Sequence, residues 1–466
     1  MTVTCIDASF RDGDLSLEFG FNRDNRFRLV FVSSLLIPLP LTESLFLFGL
    51  VEDDSVNKGV MMKRIGSAIG VAALIGVFAL TGCGGGSSSN SANAMYTWIS
   101  NESDRAQWQA FVDGVKESDP EFNLEMEGPS FQDYWTKVKT RMSASDAPCI
   151  LTTQAARAQE LKELLAPLDE LVASNNVDMS AYNEAMLKGL TVDGKLRAIP
   201  YDAAPLILYY NKDLFDQAGL EHPGKNYTWD QFVADAKALT NGDVYGVSIP
   251  PIFQTPASIV YANGGAVVEN GELKLTEQTT VDSIQDVFDL AAKHKVMKAP
   301  LAADAEDIQL QTFRAGKAAM IIDGPWVYDS LVSTEGLSVG MAVVPSRSGE
   351  SIGMVQGSGF GISEKCADKE TAFQNIMKMT TPDVMRYVAR SHGNVPAIDA
   401  AFDGWAEGKD PNDVEIVKYM TENAKTYETT ENWQQLEVEF TQNVSNGYTG
   451  EKSAQEILTS LENSIK

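Results

Sequence analysis

Cysteine, histidine and basic residues are scarce in this sequence, and each scarcity excludes a class of function. The chain has four cysteines and three histidines in 466 residues, with no C-x-x-C pair and no spacing typical of a metal site. Lys and Arg number 37 against 64 Asp and Glu, which gives a formal net charge of −27. Such a surface repels phosphate backbones. We therefore expect no metal, no cofactor and no nucleic-acid partner.

Signatures of common enzymes are also missing. The sequence has no G-x-S-x-G elbow, no H-E-x-x-H helix, no P-loop and no G-x-G-x-x-G that opens a helix. A pair of carboxylates for glycoside hydrolysis can always be chosen among 64 acidic residues, so their number decides nothing. Hydrophobic residues make up 44% of the chain, which is ordinary globular composition.

Residues 61–83, MMKRIGSAIGVAALIGVFALTGC, have the order of an export signal. Lys63 and Arg64 precede an apolar run that is short for a membrane span, which needs about 20 residues. The final LTGC resembles the bacterial lipobox, which implies lipidation of Cys83 and cleavage before it. A glycine- and serine-rich stretch follows and is typical of a flexible tether. We expect a signal peptide at 61–82, a lipid-anchored linker at 83–93 and a location on the extracellular face of the cell membrane.

Residues 1–60 do not fit this order, because a signal peptide begins its chain and Met61 is a natural start. Our hypothesis is that 1–60 is an upstream extension from a misassigned start. Recovery of peptides from this segment in a native preparation would contradict it.

Beyond residue 93 the hydrophobic pattern alternates between strand and helix, which predicts an α/β fold with a parallel sheet. Thr228 and Gln231 form a T-x-x-Q capping box, and Tyr227 and Phe232 its hydrophobic staple. The main predicted strands are 94–100, 206–210, 318–322 and 360–362, and the main predicted helices are 104–118, 131–142, 212–218, 228–239 and 281–292.

Three stretches resemble the family 1 extracellular solute-binding proteins of ABC importers, which include the maltodextrin-binding proteins. They are GKLRAIPY with YYNKDLFDQAGL at 194–220, FRAGKAAMIIDGPW at 313–326 and NVPA at 394–397. The resemblance implies a two-lobed periplasmic-binding-protein fold, with hinge crossings and a ligand cleft between the lobes. It implies a carbohydrate ligand, transmembrane permease subunits as partners, a monomeric protein and no catalysis.

We place the first crossing near Ala203 and Ala204 and the second at 346–351. The expected N-terminal lobe is 94–203 plus 350–393, and the expected C-terminal lobe is 204–349 plus 394–466.

A sugar site needs flat aromatic faces and fixed polar partners. The resemblance makes Trp326, Trp433 and Phe253 the candidate stacking residues; the alternative for both tryptophans is structural packing. Trp98 is expected in the core, and at least one of Tyr134 and Trp135 must pack inward. The candidate polar contacts are Glu102, Gln154, Asp202, Gln254, Asp323 and Gln356.

Some polar candidates have structural alternatives. Glu102 is equally well explained as a charge at a helix N-terminus, and Asp323 as a helix cap. The maltodextrin binders carry an acidic residue where this chain has Ala204. That difference puts a maltodextrin ligand in doubt.

Cys149 and Cys366 have two open interpretations, a disulfide in an oxidising compartment or two idle thiols. The function also has alternatives: a secreted glycoside hydrolase, or a binding protein for a non-sugar solute. Sugar release during incubation would indicate the hydrolase, and few aromatic contacts in the cleft would indicate the non-sugar solute.

Overall fold

The computed structural model describes residues 5–11, 14–20, 26–31, 91–305 and 307–465. The chain divides into two units, Met1–Cys83 and Gly84–Lys466. In the first unit, β1 (Cys5–Arg11), β2 (Asp14–Gly20) and β3 (Arg26–Phe31) form an antiparallel sheet in the order β1-β2-β3. The predicted signal peptide, Cys83 and the linker up to residue 90 lie outside the described residues. The late start of translation stays a prediction.

The second unit alternates strands and helices, as the sequence predicts. Its strands are β4 (Ala94–Tyr96), β5 (Glu125–Glu127), β6 (Ile150–Gln154), β7 (Thr191–Val192), β8 (Lys195–Leu196), β9 (Ala198–Pro200), β10 (Ala204–Pro205), β11 (Ile207–Asn211), β12 (Tyr245–Ser248), β13 (Val268–Glu269), β14 (Glu272–Leu273), β15 (Ala318–Asp323), β16 (Val339–Ala342), β17 (Gly353–Gln356), β18 (Ser358–Ile362) and β19 (Ala424–Thr426).

The α-helices of this unit are α1 (Glu102–Lys116), α2 (Phe131–Ser143), α3 (Ala155–Leu161), α4 (Asp169–Ser174), α5 (Glu184–Gly189), α6 (Lys212–Ala218), α7 (Trp229–Leu239), α8 (Gln254–Ala262), α9 (Gln278–Ala292), α10 (Ile308–Arg314), α11 (Tyr328–Val332), α12 (Lys369–Met379), α13 (Pro382–His392), α14 (Phe402–Ala406), α15 (Pro411–Glu422), α16 (Trp433–Thr449) and α17 (Ala454–Ile465). Short 3-10 turns occur at Lys162–Leu164, Met179–Ala181, Pro325–Val327 and Asp399–Ala401.

Helix α7 begins as the sequence predicts. The Gln231 backbone N–H donates to Thr228 Oγ1 at 3.2 Å, and the Thr228 backbone N–H donates to Gln231 Oε1 at 3.1 Å. The rings of Tyr227 and Phe232 lie 6.2 Å apart and form the staple. These reciprocal bonds satisfy two N–H groups that the first helical turn leaves unpaired.

Two sheets form the framework of the second unit. The first has the order β5-β4-β6-β18-β9, and the second the order β12-β15-β11-β16. The prediction of parallel sheets is confirmed for only part of each sheet. Strand β4 runs parallel to β5 and β6, and β12 to β15, but β18 and β11 are antiparallel to their neighbours. The reason is non-local, because β11 and β18 enter their sheets from the other lobe and not through a helical crossover.

A three-stranded sheet, β10-β17-β19, adjoins the two large sheets, and β10 and β17 carry the chain from one lobe to the other. Strand β10 lies between β9 of the first sheet and β11 of the second, at the predicted first crossing. Strand β17 leads from β16 to β18 and lies just beyond the predicted second crossing. The third strand, β19, pairs with β17 and is not predicted from the sequence. We call these three strands the hinge strands.

Each large sheet is packed in its own hydrophobic core, so the unit has two lobes. The chain between α13 and α14 contributes to both cores. Val395 packs with the second sheet, whereas Ala397 and Ile398 pack with the first. The exact residue boundaries of the lobes stay predictions.

Cys149 and Cys366 form a disulfide, with Cα atoms 4.9 Å apart across a sequence separation of 217 residues. The bond joins the segment before β6 to the segment after β18 and lies within the first lobe. Of the two interpretations that the sequence leaves open, the structure supports the disulfide.

Candidate functional site

The strand directions bring polar and aromatic side chains to the edges of both sheets that adjoin the hinge strands. In the first sheet, β4, β5 and β6 end at the edge where β18 begins, since Gln154 pairs with Ser358. In the second sheet, β15 ends at Asp323 opposite Ile207, the first residue of β11. Open α/β sheets bind ligands at such strand ends. We define the space between the two edges as the cleft.

Trp326 lies on the cleft edge of the second sheet and 46% of its surface is exposed. Its indole packs over Gly324, where an added Cβ would lie 1.9 Å from the ring. The Tyr209 hydroxyl donates to the Gly324 carbonyl oxygen at 2.9 Å and fixes the loop beneath the ring. The structure therefore holds an aromatic face open to solvent at the predicted position.

Asp323, directly before this loop, uses both carboxylate oxygens inside the protein. Oδ1 accepts from the Gly324 backbone N–H at 2.8 Å, and Oδ2 accepts from Gln309 Nε2 at 3.0 Å. Burial raises the pKa of this carboxyl to about 6, although the two hydrogen bonds act in the opposite direction. We expect Asp323 to support the Trp326 loop and not to contact a ligand.

Phe253 and Trp433 are not placed as predicted. Both rings are fully buried, 5.8 Å from each other, in the core of the second lobe. Phe253 also packs on Phe440 at 4.9 Å, and Trp433 on Tyr427 at 5.7 Å. A ring enclosed on all sides offers no face to a sugar, so their stacking role is corrected to a structural one. The neighbouring Gln254 is half-buried at the start of α8.

Asp202 links segments that pass between the lobes. One oxygen accepts from the Ser358 backbone N–H, next to β17, and the other accepts from Asn394 Nδ2 at 3.4 Å. Burial raises the pKa of Asp202 to about 7, and these two hydrogen bonds lower it less. Gln356 is buried on β17, where it pairs with Ala204 of β10. Asn394, which the sequence analysis noted only as part of NVPA, belongs to this hinge cluster.

Glu102 lies after β4 and Gln154 is the last residue of β6, but the two side chains have different surroundings. Glu102 lies in the first turn of α1, is highly exposed, and is 4.0 Å from Arg105. The cap of that helix is Asn101, whose side chain accepts from Ser103 and Asp104. Gln154 ends β6 and is half-buried at the cleft edge. The position of Glu102 suits the alternative of a charge at a helix N-terminus.

Two features of the cleft are not predicted from the sequence. Phe131, the first residue of α2, is 36% exposed at the edge of the first sheet. Arg157 of α3 donates to Glu437 of α16 at 2.7 Å and so joins the two lobes. The partners in this pair lie 280 positions apart. The residues near Arg157 and Glu437 in sequence could not have predicted this pair. Phe131, in contrast, begins a helix that follows a strand, and this position could have indicated that it is exposed.

A groove of about 1090 Å³ lies elsewhere, between α5 of the first lobe and the β13-β14 hairpin of the second. Its lining includes Lys188, Asp193, Asn270 and Glu431, but none of the predicted ligand contacts. Within the described residues, no cluster of His, Cys, Asp or Glu suits a metal ion. Nor does any helix in the described part of the chain have the length and apolarity that a membrane crossing requires.

Comparison with known proteins agrees with this architecture. A lactose-binding protein of Rhizobium radiobacter is 22% identical over 256 residues, which are 52% of this chain and 58% of that protein. The chain spans about half the length of the curated relatives it matches.

Solved structures share the fold. An ABC substrate-binding protein of Listeria monocytogenes in complex with cycloalternan gives a TM-score of 0.71 at 20% identity, over 80% of this chain and 97% of that one. The GacH receptor of Streptomyces glaucescens gives 0.68 at 21% identity, over 80% and 97%.

The model of one protein family matches residues 110–415, well over half of the chain. The chain belongs to the bacterial extracellular solute-binding proteins.

Proposed function

We propose that this protein captures a sugar or oligosaccharide outside the cell and delivers it to the permease of an ABC importer. Ligand would stabilise a closed form by contacting both lobes, and the loaded closed form would dock on the permease. In this proposal the protein is a monomer without catalytic activity, held at the membrane by a lipid on Cys83.

One observation carries the proposal. Among the described residues, Phe131 and Trp326 are the exposed aromatic side chains, and each lies on the cleft edge of a different sheet. Both rings therefore lie at strand ends, where open α/β sheets bind ligands. Sugars present apolar C–H faces that such rings cover, with hydroxyl groups left for polar partners.

The relatives support the same class of ligand. Their names include a lactose-binding, a diacetylchitobiose-binding, an arabinooligosaccharide-binding and a maltodextrin-binding protein. One structural neighbour was solved with glycerophosphocholine. A thermal-shift screen of ligands should therefore include glycerophosphocholine.

Thermal shift against mono- and oligosaccharides is the first experiment. A cognate sugar at about 100 times its dissociation constant should stabilise the fold by roughly 2.7 kcal/mol. Stabilisation by glycerophosphocholine alone would contradict the sugar ligand. Release of smaller sugars during incubation would contradict the absence of catalysis.

Trp326→Ala tests the site directly. Loss of an anchoring aromatic should weaken binding of the identified sugar by about 2–4 kcal/mol in calorimetry. Val332→Ala, at a side chain that is 44% exposed on the adjacent α11, is the matched control and should bind normally. Unchanged affinity in Trp326→Ala would remove the central residue of the proposal.

A further inference from the structure

The ion pair between Arg157 of α3 and Glu437 of α16 crosses from the first lobe to the second. Arg157 Nη2 donates to Glu437 Oε2 at 2.7 Å. The Ala155 backbone N–H donates to the Gly357 carbonyl oxygen at 2.9 Å, which places the start of α3 beside the segment between β17 and β18. Because its partners belong to different lobes, the pair forms only when the lobes lie together.

The Arg157 side chain lies on the cleft side of α3. Ala155 and Gln159 line the groove next to α5 and, being four positions apart, share one face of the helix. Arg157 is halfway between them in sequence and therefore lies on the opposite face. There its guanidinium is 5.2 Å from the centre of the Trp135 ring of α2, the helix whose first residue, Phe131, lies at the cleft edge.

Buried aromatic rings hold this guanidinium in place. Tyr134 and Trp135 both pack inward, which confirms the expectation that at least one of them does, and the Trp135 face attracts the cation. Trp98 packs on Trp135, with ring centres 5.9 Å apart, but is partly exposed, so the prediction that it is a core residue is met only in part.

The positive charge of Arg157 is already balanced by carboxylates. Besides Glu437, the guanidinium has Glu160 at 3.5 Å. Burial raises the pKa of Glu437, although the pair with Arg157 acts in the opposite direction, so this carboxylate is poorly solvated. A further negative charge beside such a group is costly unless a cation compensates it.

Two other cations on helices that follow cleft-edge strands also have carboxylate partners. Arg105 of α1 lies 4.0 Å from Glu102, and Lys137 of α2 lies 2.8 Å from Asp133. A ligand carboxylate or phosphate in the cleft would therefore compete with the protein's own carboxylates for each of these cations.

An anion on Arg157 would oppose closure of the lobes. While the lobes are apart, a ligand carboxylate or phosphate would bind the guanidinium through two N–H groups. On closure, Glu437 would meet that anion at the position that its own carboxylate occupies in this structure, and like charges in a poorly solvated site repel. A neutral sugar leaves the pair between Arg157 and Glu437 intact.

We propose that Glu437 selects ligands by charge: the lobes close on neutral sugars and do not close on sugars that carry a carboxylate or a phosphate. This inference rests on the proposed function. It adds the charge of the ligand and a residue that determines this specificity.

Calorimetry with neutral sugars and their anionic counterparts tests the selection. The probes are glucose with glucuronate, galactose with galacturonate, maltose with maltose 6′-phosphate, lactose with lactose 6′-phosphate, and any other sugar from the thermal screen with its phosphate ester. The wild type should bind a neutral sugar about a hundredfold more tightly than its anionic counterpart. Glu437→Gln should reduce this ratio about tenfold, because the anionic sugar binds more tightly.

Two further variants assign the effect to the charge at this position. Glu431→Gln removes a different ion pair of the first lobe, that with Lys162, and should keep the wild-type ratio. Glu437→Gln combined with Arg157→Gln should lose the gained affinity for the anionic sugar, because the guanidinium is then absent. Melting temperatures close to that of the wild type would show that each variant folds.

Two results would overturn the charge selection while the proposed function stands. One is a wild-type protein that binds an anionic sugar as tightly as its neutral counterpart, a measurement that needs no variant. The other is a folded Glu437→Gln protein that keeps the wild-type ratio. If the wild type binds no sugar in the thermal screen, the proposed function itself fails.

Discussion

Asp202 is a half-buried residue whose carboxylate joins both crossing segments through its hydrogen bonds to Ser358 and Asn394. Asn394 Oδ1 is itself buried without a hydrogen-bond partner among the described residues. A protonated Asp202 can donate to that oxygen after a flip of the amide, while an ionised one cannot. The raised pKa of Asp202, about 7 as a result of burial, agrees with this arrangement.

We expect Asp202→Asn to remove a pH dependence of stability. An aspartate in the unfolded chain titrates near 3.9, so between about pH 4 and pH 7 the folded protein retains a proton that the unfolded chain has lost. The contribution of Asp202 to the free energy of unfolding is complete below about pH 4 and is lost as the pH rises to about 7. At about 1.4 kcal/mol per pKa unit, the change is at most about 4 kcal/mol.

Urea unfolding of wild type and variant at pH 4.5, 6 and 7.5 measures this effect. The variant should gain stability relative to the wild type as the pH rises. Asp113→Asn, at an exposed aspartate of α1, is the control. If the free energies of unfolding of wild type and Asp202→Asn change in parallel with pH, Asp202 does not have a raised pKa in the folded protein.

The residue scale also shows why only one of the three candidate stacking rings is exposed. Trp326 follows a strand in a Gly-Pro-Trp turn, so its backbone fixes the ring at a sheet edge. Phe253 follows two prolines and Trp433 lies in a polar stretch, but Phe253 packs on α16 directly before α8, and this contact helps to enclose both rings. Local polarity does not report on a partner helix that is distant in sequence.

At the element scale, features fixed by neighbouring residues can be predicted from the sequence, and those fixed by distant residues cannot. The capping box of α7 and the end of α6 at Gly219, with φ of 67°, follow from residues within a few positions. The Asp193-Gly194 turn likewise joins β7 and β8, with positive φ at both residues. The antiparallel direction of β18 depends on where the chain goes after leaving a lobe, and β19 joins the hinge strands from a part of the chain that is distant in sequence.

Thr228→Ala should destabilise the second lobe by about 1 kcal/mol, since it removes the side-chain acceptor for the Gln231 N–H. Denaturant unfolding measures the change. Thr136→Ala, an exposed mid-helix substitution in α2, should be neutral or slightly stabilising. Equal losses in both variants would show that the capping box adds nothing.

At the scale of the whole molecule, cations of the first lobe pair with carboxylates that follow β19. Arg157 binds Glu437 at 2.7 Å, Lys162 binds Glu431 at 2.5 Å, and Lys188 binds Glu428 at 2.7 Å. Of these three ion pairs, the one between Arg157 and Glu437 is the most buried, so salt screens it least. These contacts favour a structure in which the lobes lie together.

Glu437→Gln should make the unliganded protein more open, because the neutral amide removes the charge–charge attraction to Arg157. Arg157 then keeps its ion pair with Glu160 at 3.5 Å and its contact with the Trp135 ring, both within the first lobe. A larger radius of gyration in small-angle X-ray scattering is the expected result. Glu422→Gln removes an exposed pair with Lys418 inside α15 and serves as the control. Identical scattering from wild type and Glu437→Gln would exclude a role for this pair in lobe closure.

The sheet orders also have a consequence for biosynthesis. All strands of the second sheet lie between residues 207 and 342, whereas the first sheet needs β18 at residues 358–362, inserted between β6 and β9. A chain that emerges from a ribosome or a translocation pore in sequence order can finish the second lobe's sheet first. Until β18 arrives, β6 has an open hydrogen-bonding edge, and this nascent half would need protection from aggregation.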